Sequence, residues 1–157
     1  MAEAETYARE LRWIVSEVAT SLGQMGAQER AERPLSTAND ANTIARHILG
    51  SVRAYAVGIG GARAVPRDRA AEFESADDDD GLVGRLRELA DEVDESLRKI
   101  PDDELDDPGR ALAEWRARTP PTGTRRDSIL EAIRHAAIHL GELRLTADLA
   151  ARTTEPR

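Results

Sequence analysis

Two of the three histidines in the chain, His135 and His139, stand four residues apart in the segment DSILEAIRHAAIHLGELRLTADLAA at 127–151. An α-helix places such a pair on one face, about 5–6 Å apart at Cβ, near enough to share one metal ion. Glu131 and Glu142 extend this stripe by steps of four and three. It borders the apolar row of Ile129, Ile133, Ala136, Leu140, Leu143 and Ala147. Such residues support coordination by neutral imidazole, with a carboxylate available to orient a ring from its outer nitrogen. The third histidine, His47, lies between Ile44 and Ile48 on another helical pattern, where Ser51 and Ala54 are small enough to leave room for a bound group. Helical spacing supplies two ligands; only the compactness of a bundle brings His47 to them as a third. The plainer alternative is that each histidine is an ordinary surface or core residue satisfied by a neighbour.

The elements that must position these rings follow from apolar periodicity. Leu11, Ile14, Val15, Val18 and Leu22 predict a helix over about 4–24, ending near Gly23 and Gly26. Pro34, Ser36, Thr37, Asn39, Asp40 and Asn42 then form a run suited to caps. A second helix over about 41–59 carries Ile44, Ile48, Val52, Tyr55 and Ile59 and stops at Gly58, Gly60 and Gly61. The polar connection at 60–79 is long enough for the next helix to run parallel to the second. That third helix spans about 81–100, up to Pro101. Prolines and glycines punctuate 102–126, where RALAEWRAR forms at most a turn or two of helix. The fourth helix starts at Asp127 or Ser128, with Glu131 as capping-box partner of Ser128. No stretch alternates with period two. The expected fold is all-α, a four-helix bundle forming one domain over 1–157.

Composition narrows the chemistry. A chain of 157 residues without cysteine has no disulfide, thiolate ligand or cysteine nucleophile, so a metal is held by nitrogen and oxygen. The N-terminal segment mixes acids and arginines into its apolar residues, unlike a signal peptide or membrane span, and the expected location is the cytoplasm. A net charge of −8 with scattered basic residues argues against nucleic-acid binding. Ala136 follows His135, so the glutamate base of zinc peptidases is missing. Placing Gly81 as the glycine of a calcium loop puts Ala76 and Arg87 at ligand positions, which excludes that site. Asp77, Asp78, Asp79 and Asp80 are better read as complements to the dipole of the helix they precede.

Taken together, the ARHIL segment at 45–49, the long acidic crossover and the last-helix pattern of His, three residues, His, Leu, Gly, Glu resemble the DinB/YfiT-like superfamily of small bacterial metal-binding bundles. Its usual last-helix motif is His, three residues, His, Arg, Gly, Gln. Here His135, His139, Leu140, Gly141 and Glu142 occupy it, with leucine for arginine and glutamate for glutamine. These departures alter the substrate surroundings and leave the ligand spacing intact.

The resemblance implies an up, down, down, up order of helices, with His47, His135 and His139 as metal ligands. It further implies zinc, nickel or iron as the metal, an external low-molecular-weight thiol as co-substrate, a small-molecule electrophile as substrate, and a homodimer. The resulting expectation is a metal-dependent thiol S-transferase or hydrolase, in which the ion favours a deprotonated thiol or water and Glu131 or Glu142 orients an imidazole. The alternative is a non-catalytic bundle that binds or senses a metal or small molecule.

Overall fold

Along α1 (Glu3–Gly23) the residues Leu11, Ile14, Val15, Val18 and Leu22 are buried on one face, as their spacing predicts. The structure, a computed structural model, describes residues 2–74, 81–116, 119–120 and 122–154. Asp40 caps α3 (Ala41–Val52) by accepting from the Thr43 backbone N–H at 2.8 Å. Beyond Val52 the same rod continues as a π-helix, Arg53–Gly60, with Gly61 at its C-terminal cap. α5 (Leu82–Leu97) buries Leu82, Leu86, Leu89, Val93 and Leu97, and α6 (Arg125–Thr154) buries Ile129, Ala132, Ala136, Leu140 and Leu143. These four long helices share one core of aliphatic side chains, each fully buried Leu or Ile contributing roughly 1.5–3 kcal/mol.

Ion pairs on the rim mark which parts of the helices meet. Glu3 bonds Arg126 at 2.8 Å and Glu17 bonds Arg144 at 2.5 Å, both between α1 and α6. Arg12 reaches Asp91 of α5 at 3.1 Å, and Arg98, at the C-terminal cap of α5, approaches Glu5 of α1 at 3.9 Å. Arg53 pairs with Glu92 at 3.1 Å, joining the π-helical end of α3 to α5. Exposed pairs of this kind add little stability.

The connections hold more structure than periodicity predicts. α2 (Ala27–Ala31) lies in the capping-rich segment, α4 (Ala71–Glu74) in the crossover, and a 3-10 turn at Asp102–Asp106 follows Pro101. The expected turn of helix around Trp115 is instead strand β2 (Trp115–Arg116), paired in parallel with β1 (Arg67–Asp68). Two residues of ladder are too short for an alternating pattern to register. The start of α6 also differs: Thr124 and Asp127 cap each other reciprocally, at 2.8 and 3.1 Å, and Glu131 takes no part. The dipole reading of Asp77, Asp78, Asp79 and Asp80 falls outside the described residues.

Candidate metal centre

Three imidazoles meet between α3 and α6. His47 faces the core from α3 and is 5 % exposed, while His135 and His139 are half-buried one turn apart on α6. Ring centroids lie 4.9 Å apart for His47 with each of the other two, and 4.5 Å for His135 with His139. One nitrogen from each ring falls within 4.8 Å of the other two. The apolar neighbours Ile44 and Ile48 drive His47 inward, and Ile129, Ala136 and Leu143 bury the matching face of α6. Ser51 and Ala54, expected to leave space, are packed in the core, with the Ser51 hydroxyl donating to the Ile48 carbonyl.

Hydrogen bonds define which nitrogens face the centre. His47 Nδ1 lies 2.7 Å from Glu72 Oε2, and His139 Nδ1 lies 2.6 Å from Glu142 Oε2. An ionised carboxylate only accepts, so each ring donates from Nδ1 and turns Nε2 the other way, the nitrogen that is bare in the neutral ring. His135 Nε2 then sits 2.9 Å from His47 Nε2. Two lone pairs do not face each other at that distance; the contact needs a shared proton or a cation. Three nitrogens held at ~2.0–2.1 Å by one ion sit roughly 3–3.5 Å apart. The His47–His135 contact of 2.9 Å is close to this spacing, and one nitrogen of each ring lies within 4.8 Å of the others. All-nitrogen donors suit zinc, nickel or iron. The residues present fit a divalent ion.

Of the two candidate orienting carboxylates, Glu142 binds an imidazole of the cluster and Glu131 does not. Glu131 instead accepts from Arg134 at 2.6 Å, one turn further along an exposed face. The carboxylate that holds His47 is Glu72, in α4, which sequence reasoning left within a polar connection. It is 8 % exposed and also accepts from Arg67 Nε at 2.9 Å and Nη2 at 3.2 Å. Burial pushes the Glu72 carboxyl up, but the bonds from His47 and Arg67 outweigh it and hold its pKa below the usual range. No periodicity marks Glu72. Asp68 and Glu74 stand in the same connection ahead of the acids at 77–80, so its position does not single Glu72 out either.

Burial, then the neighbouring His139 and His47, depress the His135 pKa from 6.5 to about 4. The ring is therefore neutral and able to ligate at pH 7. Because the folded value lies below the unfolded one, the folded chain binds this proton less readily. The stability it confers is fully present above pH 6.5 and is lost as pH falls towards 4. Allowing for partial exposure, chelator-treated protein should lose roughly 1–3 kcal/mol between pH 7 and 4 at this site. Urea unfolding at the two pH values, compared with His135→Gln, measures it; an equal acid loss in the variant would assign the effect elsewhere.

No protein-family model matches the chain, and no curated protein matches it. A solved crystal structure of a conserved protein from Enterococcus faecalis is similar, with a TM-score of 0.67 and 17 % identity over 97 % of this chain and 99 % of that one. At that identity the likeness is one of fold.

Proposed function

We propose that the chain is a DinB/YfiT-like four-helix bundle whose His47, His135 and His139 bind one divalent metal, zinc first, and that it transfers a low-molecular-weight thiol to a small electrophile. One observation carries the reading. Three imidazoles, His47 lying 88 residues before His135, converge with two of their outer nitrogens held by carboxylates, an arrangement typical of metal ligands. For α1, α5 and α6, the rim pairs support the directions that the order up, down, down, up requires. Glu3 with Arg126 and Glu17 with Arg144 fit α1 and α6 running the same way, whereas Arg12 with Asp91 and Glu5 with Arg98 fit α5 running against α1.

When bound, the ion would supply Lewis acidity that favours the deprotonated form of a thiol or water beside it. The chain's own residues do the rest. Glu72 and Glu142 keep a proton on Nδ1 of His47 and His139, so both Nε2 atoms stay available. The Phe73 ring, 5.0 Å from that of His47, covers one side of the centre. A small-molecule reaction in the cytoplasm suits the net charge of −8, and among the described residues no helix is long and apolar enough to cross a membrane. The homodimer implied by the resemblance would have exposed Leu130, Ile138 and Leu145 of α6 available as an apolar face; sedimentation of the full chain tests it.

Turnover is tested by incubating zinc-loaded protein with a thiol and a panel of epoxides and chloro-nitro arenes. The transferase reading expects thioether formation above that of His139→Ala. Equal rates across the panel would leave a metal-binding or sensing bundle without turnover.

A further inference from the structure

The ligand set reads as a property of two helices, yet the group that fixes its most buried member belongs to neither. Glu72 reaches His47 from a four-residue helix in the crossover, and its two oxygens are shared between His47 Nδ1 and the Arg67 guanidinium. Arg67 is itself buried. Its guanidinium carbon lies 5.4 Å from the Tyr55 ring centre and 5.5 Å from that of Trp115, and its backbone N–H donates to the Glu114 carbonyl at 3.0 Å. Thus the second connection, through Trp115, grips the first, through Arg67. The first then grips His47.

The backbone of α3 is shaped for this contact. A Cβ on Gly50, one turn beyond His47, would lie 2.7 Å from Glu72 Cδ and 3.1 Å from its Cγ. Any larger residue there would push the carboxylate off its place. A buried arginine–glutamate pair costs desolvation that its attraction barely repays, so it adds little stability over an apolar packing of similar volume. Geometry is what it supplies: a carboxylate anchored on two sides can hold one imidazole nitrogen protonated and one ring plane fixed.

We propose that Arg67 and Glu72 are positioning residues for the three-histidine centre, fixing His47 as the Nδ1–H tautomer with Nε2 towards the metal, and that Gly50 is the gap that admits them. This rests on the metal reading above, but the tautomer itself is observable without metal. In chelator-treated protein, the imidazole nitrogen resonances of His47 should show a protonated Nδ1 and a bare Nε2, and Glu72→Gln should move them. In zinc- and cobalt-loaded protein, Glu72→Gln should weaken binding about 10- to 100-fold in chelator competition and shift the cobalt absorption bands. Gly50→Ala, which removes no charge, should weaken binding in the same direction. Arg67→Met added to Glu72→Gln should cost little more than Glu72→Gln alone, because Arg67 acts through Glu72; the double variant leaves no buried charge unpaired, so it guards against loss of folding. Wild-type affinity in both Glu72→Gln and Gly50→Ala, with unmoved His47 resonances, would overturn the proposal while the metal centre stood. A wild-type chain that takes up neither metal would overturn the metal reading and the role assigned to the pair together.

Discussion

Saturating zinc is expected to raise the thermal midpoint of chelator-treated protein by about 8–16 °C. An ion that binds only the folded chain stabilises it by RT ln(1 + [L]/Kd), about 4.1 kcal/mol at a thousandfold excess over Kd. For a domain of this size each kcal/mol moves the midpoint by roughly 2–4 °C. The large expected effect comes from sequence separation. His47 and His135 are 88 residues apart, so the unfolded chain offers only the His135–His139 pair, and the full ligand set exists only in the fold. Scanning calorimetry with and without excess zinc checks this. An unchanged midpoint would mean that the ion does not distinguish folded from unfolded chain.

The second large effect is the contrast between His47→Ala and His139→Ala. Both remove a proposed ligand, so both should weaken zinc binding by more than the ~10–100-fold that loss of an outer hydrogen bond costs. Their effects on the metal-free fold should differ. His47 is buried and its removal leaves a cavity and takes one partner from buried Glu72, which should cost about 1–3 kcal/mol. His139 is half-buried and bonded to a partly exposed carboxylate within its own helix, so its loss should cost well under 1 kcal/mol. Urea unfolding in chelator, paired with zinc competition for each variant, separates the two roles. Equal stability losses would show that the burial of His47 carries no structural weight.

What the sequence reveals of the site follows from how local each contact is. His135, His139 and Glu142 share a helix, so a period of 3.6 is enough to place them together, and the i, i+3 step brings Glu142 Oε2 to 2.6 Å from His139 Nδ1. His47 is legible as an inward-facing helical residue, but its meeting with α6 depends on packing that no spacing encodes. Glu72 and Arg67 are invisible to periodicity because both lie in a connection with, among its described residues, two of strand and four of helix. The same reasoning explains why the long helices are legible nearly to their ends. It also explains the misread start of α6: Ser128 and Glu131 satisfy the cap pattern as well as Thr124 and Asp127 do, and the deciding factor is tertiary. Arg125 is drawn into the helix by its bonds to the Gly60 carbonyl at 2.8 Å and to Glu104 at 2.7 Å.

The most direct test of the three-histidine centre is X-ray absorption at the zinc edge of loaded protein, in wild type and in His135→Ala. The account predicts one zinc per chain, a first shell containing three imidazole nitrogens at ~2.0–2.1 Å, and one ring fewer or no bound zinc in the variant. A shell of oxygens alone, or an identical spectrum and stoichiometry in His135→Ala, would contradict it.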